Sequence, residues 1–402
     1  MSNIPKLRFP EFKGEWEEKK LNSIFTKITQ RNSDNQNSNV ITNSATEGLV
    51  SQRDYFDKDI ANKDKTDNYF IIKNGDFVYN PRKSSAAPYG PFTQYKLLND
   101  GIVSPLYLCL RKNNSEVESN YLENYFKTTC WHQYIYENGS SGARHDRVSI
   151  HDDVLLAMPI KVPSLAEQQK IADFLSNVDS IITAETKILN TLQKKKKALM
   201  QKLFTQQLRF KSDNGTDFPA WEGKKLGDVC KYIGGGTPSK KVKEYWNGNI
   251  NWASVKDITG KYLYETQDKI SQLGADSSAT NICDSDSLLL ITRMSPGKTV
   301  ITKCVTAINQ DLKIVKSEID VEFLHLLFQS IQTKIDEKTS GTTVKGISIE
   351  GLNQIDIRLP CKEEQQKIAD CLSSLDSLIQ TQQKVVTTWQ QRKKALLQQM
   401  FI

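Results

Sequence analysis

A long segment occurs twice in this chain, and the repeat limits how the chain can fold. Residues 164–204 and 361–401 align without a gap and are identical at 21 of 41 positions. The clearest match is the stretch Glu-Gln-Gln-Lys-Ile-Ala-Asp at residues 167–173, which returns at residues 364–370. The regions before these segments match only in patches. The chain is therefore predicted to contain two halves that share a framework but differ in what it holds.

The repeated segment has the apolar pattern of a coiled-coil helix. Apolar residues recur at alternating three- and four-residue spacings from Ile171 to Leu203 and from Ile368 to Met400, a pattern typical of a helix that packs along another helix. Lys196 and Lys393 interrupt the two seams at equivalent positions, where polar residues usually fix register and partner. Two such helices in one chain, separated by a globular region, are predicted to pair in antiparallel fashion.

The first residues of each segment predict where the helices begin. Ser164 and Glu167 have the spacing of a capping box, in which each side chain satisfies a free backbone amide of the other residue. In the second copy Cys361 replaces the serine, and Glu363 and Glu364 are expected to interact with the helix dipole instead.

A second line of apolar residues runs beside each seam and makes the apolar stripe wider than a two-stranded coil needs. We expect these residues to pack against a helix of another protein: Phe174, Ile181 and Ile188 in the first helix, and Cys371, Leu378 and Val385 in the second.

The globular region that precedes each helix is rich in strand-like runs and turn residues, which predicts an α+β fold with an internal pseudo-two-fold repeat. Residues 77–79 and 288–291 are examples of strand candidates, and residues 121–136 and 321–334 have short helical patterns. Each half starts with a short lead segment, Leu-Arg-Phe at residues 7–9 and again at residues 208–210. The predicted divisions are 1–163, first globular domain; 164–207, first helix; 208–360, second globular domain; and 361–402, second helix.

Composition restricts the class of protein. No apolar run approaches the length of a membrane span, and the first residues lack an apolar signal core, so a cytoplasmic protein is expected. The seven cysteines form no Cys-x-x-Cys pair, and the four histidines are scattered, which favours reduced thiols and no metal site. The net charge of +7 indicates a nucleic-acid partner only weakly.

The order of domain, long helix, domain, long helix resembles the DNA-specificity subunit of type I restriction–modification enzymes, and the resemblance covers essentially the whole chain. The two Glu-Gln-Gln-Lys-Ile-Ala openings carry it, together with the start of the second domain. There the run Gly-Gly-Thr-Pro-Ser at residues 235–239 is followed by Tyr-Trp-Asn-Gly-Asn-Ile-Asn-Trp at residues 245–252. That run is similar to a motif recurrent in target-recognition domains.

The resemblance implies that each globular domain is a target-recognition domain, which reads one half of a bipartite site in double-stranded DNA. It implies that the helices set the distance between the two halves. It also implies that two methyltransferase subunits, which use S-adenosylmethionine, dock on this chain. Two restriction (motor–nuclease) subunits, which use ATP and Mg²⁺, join them in the full complex.

The chain itself lacks recognisable catalytic motifs. An amino-methyltransferase needs an Asn-Pro-Pro-aromatic loop, and the nearest match, Asn-Pro-Arg-Lys at residues 80–83, has neither the second proline nor the aromatic residue. We interpret it as a turn after a strand. The glycine run at residues 234–236 lacks the Gly-Lys-Ser/Thr ending of a phosphate loop. We therefore expect no catalytic site and no bound cofactor in this chain.

DNA readout requires Arg, Lys, Asn or Gln on loops that reach base edges, with hydroxyl groups and amides on the phosphates. Two pairs are at matching places, since Arg82 and Arg293 each follow a strand run, whereas Arg144 and Thr343 each follow a Ser-Gly turn. The candidates are Arg82, Lys83, Ser84, Ser85, Arg144 and Arg147 in the first domain, and Lys240, Lys241, Lys243, Arg293, Lys298, Thr342, Thr343 and Lys345 in the second.

Other functions remain open at the level of sequence. A non-enzymatic coiled-coil scaffold that binds proteins would explain the repeat and the helices equally well, and the candidate cations would then be ordinary solvated charges. A self-sufficient methyltransferase is opposed by the missing motifs. Salt-dependent binding to a particular DNA sequence would distinguish a DNA-specificity subunit from the protein-binding scaffold.

Overall fold

The computed structural model describes residues 4–56, 66–141, 146–341 and 344–402. The chain divides into two compact units. The first unit comprises Met1–Thr186 with Lys384–Ile402, and the second comprises Lys187–Gln383. Each unit therefore contains one globular region and a part of each long helix.

The first globular region consists of short strands and helices that lead into the first long helix. In chain order its elements are β1 (Glu17–Lys20), β2 (Phe25–Lys27), β3 (Ile41–Ser44), β4 (Gly48–Ser51), α1 (Gln52–Phe56), β5 (Phe70–Ile72), β6 (Phe77–Tyr79), β7 (Phe92–Gln94), β8 (Gly101–Val103), β9 (Leu108–Lys112), α2 (Ser119–Phe126), α3 (His132–Asn138), β10 (Ser140–Ser141), β11 (Val148–Ser149), α4 (Asp152–Leu156), β12 (Pro159–Val162) and α5 (Leu165–Phe204).

The second globular region has the same general order and ends in the second long helix. Its elements are β13 (Glu222–Lys225), α6 (Leu226–Val229), β14 (Lys231–Gly234), β15 (Ile250–Ala253), β16 (Tyr262–Leu263), β17 (Asp268–Ile270), α7 (Gln272–Asp276), β18 (Asn281–Cys283), β19 (Leu288–Ile291), β20 (Thr299–Thr302), β21 (Thr306–Ile308), β22 (Leu312–Lys316), α8 (Val321–Ser330), α9 (Gln332–Glu337), α10 (Ile349–Asn353), β23 (Asp356–Leu359) and α11 (Lys362–Met400).

A β-sheet forms the centre of each globular region; it is antiparallel in the first region and mixed in the second, where β16 pairs with β20 in parallel. In the first, the strand order is β2-β9-β6-β7, and α2 packs on β7. In the second, the order β14-β22-β19-β20-β16 places α8 on β20, and a further sheet has the order β17-β15-β21-β18. The two-stranded pairs β1-β12 and β13-β23 lie just before α5 and α11 begin. The predicted α+β fold with an internal repeat is therefore confirmed.

The individual sequence predictions hold with one difference. Strands β6 and β19 have exactly the residues that the apolar runs predicted. Each predicted short helix is instead two helices, because the chain turns between α2 and α3 and again between α8 and α9. Trp131 and Ile331 lie at these turns and are buried in the cores, so packing takes precedence over continuous helix.

The long helices pack in antiparallel fashion within each unit. In the first unit, Ile171 and Leu175 of α5 share a core with Leu397 and Met400 of α11. In the second, the same core holds Leu203 of α5 and, from α11, the residues Ile368, Ala369 and Leu372. Thus the beginning of one helix packs beside the end of the other, as the sequence predicted. No described helix combines the length and the apolar character needed to cross a membrane.

The two lysines that interrupt the seams form ion pairs between the helices. Lys393 Nζ donates to Asp179 Oδ1 in the first unit, at 2.5 Å. Lys196 Nζ donates to Asp376 Oδ1 in the second unit, also at 2.5 Å. The pairs occupy equivalent positions of the repeat. A shift of one helix along the other would separate each lysine from its aspartate. The pairs therefore fix the helix register within each unit.

The repeated opening motif holds the lead segment against the helix. Arg8 Nε and Nη2 donate to the two carboxylate oxygens of Glu167 at 2.7 and 2.8 Å. Arg209 and Glu364 make the same bidentate pair in the second unit, at 3.1 and 2.6 Å. The Ser164 hydroxyl accepts the Glu167 amide, as predicted, at 3.4 Å. The glutamate carboxylates, however, bind the arginines, so this motif is mainly an anchor for the lead segment.

Candidate nucleic-acid interface

The turn after β6 brings two predicted clusters of the first unit together. Lys83 N donates to Asp146 O at 2.8 Å, and Val148 N donates to Pro81 O at 2.9 Å. Arg82 and Arg147 form the β-bridge between these contacts. We call residues 80–84 with residues 146–148 the first platform. Two segments that are far apart in sequence thus place Arg82, Lys83 and Arg147 side by side.

Buried amides fix the backbone of the first platform. Asn80 is 7% exposed; its side-chain oxygen accepts the Arg82 amide at 3.0 Å, and its nitrogen donates to Asn43 O at 3.1 Å. Gly90 has a φ of +84°, and a Cβ atom there would lie 2.0 Å from Asn80 O. The Asn-Pro-Arg-Lys stretch is therefore a rigid turn after a strand, as predicted.

The turn after β19 repeats this arrangement in the second unit. Met294 N donates to Lys345 O at 2.8 Å, and Ile347 N donates to Thr292 O at 2.9 Å. Arg293 and Gly346 form the intervening β-bridge. We call residues 291–295 with residues 345–347 the second platform. Its backbone contacts correspond one for one with those of the first, so Arg293 is equivalent to Arg82 and Met294 to Lys83.

Each platform arginine is exposed and lies near an aspartate. Arg82 Nε lies 3.6 Å from Asp146 Oδ2, and the arginine side chain is 68% exposed. Arg293 Nη1 lies 3.4 Å from Asp311 Oδ1, and that side chain is 57% exposed. Each aspartate lies beside its guanidinium group without covering it. The groups remain available for a bidentate contact with a guanine edge or a phosphate.

The other predicted DNA-contact residues have varied surroundings. Ser84 and Ser85 are exposed on the first platform turn, and Lys345 is exposed on the second platform. Lys298, at the end of the β19–β20 loop, lines a recess of about 300 Å³ with Lys196 and Lys261. Three predicted residues lie outside the described part of the chain: Arg144, Thr342 and Thr343.

A separate turn carries the remaining predicted cations. Lys240, Lys241 and Lys243 are exposed where the chain enters a short 3-10 helix, Lys243–Trp246. The loop before this turn approaches the second platform, since Thr237 Oγ1 donates to Gln310 Oε1 at 2.6 Å and Gln310 adjoins Asp311.

Close packing explains the glycine run before that turn. A Cβ atom on Gly235 would lie 2.3 Å from Ile308 O, and one on Gly236 would lie 2.6 Å from the carbonyl carbon of Ala279. The indole nitrogen of Trp252 donates to Gly236 O at 3.1 Å. These glycines therefore let the backbone pack against the neighbouring strands, and the interpretation as a phosphate loop has no structural support.

The second unit also contains a buried histidine. His325 is 3% exposed; its Nδ1 lies 2.8 Å from Thr299 Oγ1, and its Nε2 lies 2.7 Å from Gln329 Nε2. Burial, and then the charges of Lys261 and Lys196, lower the pKa of His325 to about 4. The histidine is therefore neutral near pH 7. Among the residues that the structure describes, no cluster of three or more His, Cys, Asp or Glu side chains could hold a metal ion.

The second apolar line of the helices is unevenly covered. Phe174 contacts Phe9 of the lead segment, with ring centroids 5.7 Å apart. Ile181, Ile188 and Leu378 are 36%, 46% and 55% exposed, respectively. Cys371 and Val385 are half-buried. The stripe therefore leaves apolar surface in contact with water.

Sequence reasoning missed several residues that build the platforms. Asn43 and Asn80 are buried polar residues of strand and turn, Asp311 contacts Arg293, and Met294 lies beside that arginine. The shared Arg-x-Ser pattern at residues 82–84 and 293–295 could have drawn attention to Met294. Nothing in the sequence marks Asn43, because its hydrogen-bond partners, which include Val78 O, Asn80 Nδ2 and Thr93 Oγ1, belong to distant segments.

Comparison with known proteins gives a family match to both halves of the chain. The family described as type I restriction modification DNA specificity domain matches residues 13–194 and 220–388. The MjaIX specificity subunit of Methanocaldococcus jannaschii is 31% identical over 189 residues, which are 45% of this chain and 44% of that protein. The EcoR124I/EcoR124II specificity subunit of Escherichia coli is 29% identical over 248 residues, covering 58% of this chain and 59% of that protein. The chain thus aligns with less than two thirds of the length of each of these relatives.

A solved structure shows the same fold over nearly the full length. It was described as the structural basis of complex assembly and conformational transition of the type I R-M system. The alignment covers 96% of this chain and 97% of that one, with a TM-score of 0.60 and 17% identity.

Proposed function

Because the chain belongs to the type I restriction modification DNA specificity family, we propose that it selects the DNA sequence on which a type I restriction–modification complex acts. The observation that carries this proposal is the pair of platforms. Each unit holds an exposed arginine on a turn that buried or main-chain partners keep rigid, and the neighbouring side chains differ between the units. Rigid turns with different side chains suit two different DNA sequences.

Each unit reads one half of a bipartite site in double-stranded DNA. Arg82 and Arg293 contact base edges, and the surrounding cations and hydroxyl groups contact phosphates. The two long helices set the number of unread base pairs between the half-sites. The antiparallel packing and the paired Lys–Asp contacts of the helices support this role, because both fix the helix register.

The chain contributes recognition, and other subunits contribute the chemistry. Two methyltransferase subunits with S-adenosylmethionine modify the DNA, and two restriction subunits with ATP and Mg²⁺ cut it. The methyltransferase subunits dock on the long helices, where Ile181, Ile188 and Leu378 expose apolar surface that a partner helix would cover. A scaffold that binds only proteins would not need the two equivalent arginine turns, so we do not favour it.

Alanine substitution of the platform arginines tests the proposal. In a complex with methyltransferase subunits, Arg82→Ala and Arg293→Ala should each weaken specific DNA binding by about 1–3 kcal/mol, the value of one bidentate base contact. Each variant should relax base preference at one position, in a different half-site. Base preference is measured by competition binding with duplexes that carry every single base-pair change.

A matched control is Lys316→Ala, which removes an exposed cation at the end of β22 without touching a platform. It should leave base preference unchanged. If the wild-type complex shows no preference among DNA sequences, the proposed function is wrong. If both arginine variants retain wild-type preference, the platforms are not the reading sites.

A further inference from the structure

Met294 combines two properties that are unusual in one residue. Its side chain is 62% exposed, and its φ is +73°. The other non-glycine residues with positive φ in the described part of the chain are Asn35, Gln206 and Asp286, which are polar. A positive φ is costly for a residue with a long side chain, and such strain persists where the surrounding structure imposes it, often at functional sites.

The loop around Met294 imposes that backbone conformation. The Met294 amide is bound to Lys345 O at 2.8 Å, and Gly297 N donates to Ile291 O at 3.0 Å. Gln332 Nε2 donates to Pro296 O at 2.9 Å and holds the far side of the loop to α9. The loop is therefore rigid, yet it displays an apolar side chain to water, where that side chain adds little to the core.

The equivalent residue of the first platform has different chemistry. Lys83 makes the same backbone contact, to Asp146 O at 2.8 Å, and it is only half-buried. A lysine suits the hydrogen-bond acceptors of a guanine, whereas an apolar side chain suits the 5-methyl group of a thymine, which projects into the major groove. At equivalent positions, each next to an arginine, the first unit thus presents a cation and the second an apolar group.

We propose that Met294 is a specificity-determining residue that contacts the 5-methyl group of a thymine in the second half-site. The inference rests on the proposed function, since it requires that the second platform faces DNA. The rigid loop fixes where the Met294 side chain meets the groove. Arg293 contacts the edge of a neighbouring base, and Met294 adds discrimination through the methyl group alone.

Replacing thymine by uracil tests the contact, because it removes the methyl group and leaves base pairing intact. The full chain is assembled with methyltransferase subunits, and each thymine of the second half-site is replaced in turn. At one position, replacement by uracil should lower the DNA affinity of the wild-type complex about fourfold, which corresponds to the free energy of burying one methyl-sized group. The same replacement should have no effect on a complex that carries Met294→Gly.

Controls separate this inference from a folding defect and from the proposed function. Met294→Gly should melt at the same temperature as wild type or higher, because glycine adopts a positive φ without strain. Uracil in the first half-site should affect both complexes equally. The inference is overturned if no uracil position weakens the wild-type complex, if Met294→Gly shows the same loss, or if the second half-site contains no thymine. If the wild-type complex shows no preference among DNA sequences, the proposed function itself is overturned.

Discussion

Trp16 and Trp221 each directly precede the equivalent strands β1 and β13, but their indole nitrogens differ in hydrogen bonding. Trp221 Nε1 donates to Glu364 Oε2 at 3.0 Å. Trp16 Nε1 is buried and has no hydrogen-bond partner among the described residues. Replacing Trp221 by Phe removes a donor from a fully buried carboxylate, whereas replacing Trp16 by Phe removes an unsatisfied group. Trp221→Phe should therefore lower the free energy of unfolding by about 1–3 kcal/mol more than Trp16→Phe, as measured by urea denaturation. Equal losses would contradict the different hydrogen bonding.

His325 should make the stability of the second unit depend on pH. The pKa of His325 is about 4 in the folded chain, against an ordinary value of 6.5. Between these values the unfolded chain binds more protons, so stability is complete above about pH 6.5 and is lost as the pH falls toward 4. The loss amounts to at most about 3 kcal/mol.

A variant without the imidazole separates this effect from general acid denaturation. His325→Gln should lack that part of the pH dependence, whereas substitution of the exposed His151 should retain it. Thermal melting between pH 4 and 7 provides the measurement. A wild-type chain and a His325→Gln chain with parallel pH profiles would show that His325 does not titrate in this way.

At the scale of elements, the ion pair between Asp179 and Lys393 should stabilise the contact between the helices equally well when the two charges are exchanged. Lys393→Asp alone places two acids in contact, and Asp179→Lys alone places two cations in contact, so each should destabilise the first unit. The double variant restores opposite charges, and the coupling energy should be about 0.5–3 kcal/mol. Lys394→Asp, at an exposed neighbouring position, serves as the control for charge alone. If the double variant is as unstable as the sum of the single ones, the pair does not fix the register.

The local pattern of apolar residues predicted the secondary-structure elements well, but it did not predict contacts between residues that are distant in sequence. Strand β19 and the helix α5 follow from apolar runs and spacing, which depend on neighbours along the chain. Glu167 has the spacing of a capping box, but its carboxylate binds Arg8, which lies 159 residues away. Only folding brings those two residues together, so the sequence predicted the position of the motif and missed its main partner.

The same limit applies to the candidate site. Arg82 and Arg293 became candidates because each follows a strand run, a local feature. The sequence did not reveal that the backbone of Arg82 forms a β-bridge with that of Arg147, or that Met294 takes the place of Lys83. These relations depend on backbone hydrogen bonds between remote segments. The positions proposed to read bases are thus harder to predict than the elements that carry them.

At the scale of the whole molecule, the boundary between the units crosses both long helices at equivalent positions of the repeat, after Thr186 and after Gln383. If the helices set the spacing, inserting one heptad at both points should lengthen the permitted gap. Seven helical residues add about 10.5 Å, which corresponds to about three base pairs of duplex at 3.4 Å each. Methylome sequencing of cells with the variant complex would show the new spacing.

An insertion in one helix alone is the matched control. It shifts the helices relative to each other and separates the Lys–Asp partners, so it should destabilise the chain rather than change the spacing. Unchanged spacing in the double-insertion variant, with methylation retained, would show that the helices do not determine the gap.

The hydrogen bonds that the two platforms share are made by main-chain atoms. The amides of Lys83, Met294 and Val148 donate to carbonyl oxygens, whatever side chains those residues carry. Substitution of the exposed side chains therefore leaves the scaffolding of each turn in place. If the platforms read DNA as proposed, a lineage could acquire a new target sequence through one or two changes there, without passing through an unfolded intermediate. Under the same proposal, the positions that meet DNA can diversify quickly while the framework stays the same.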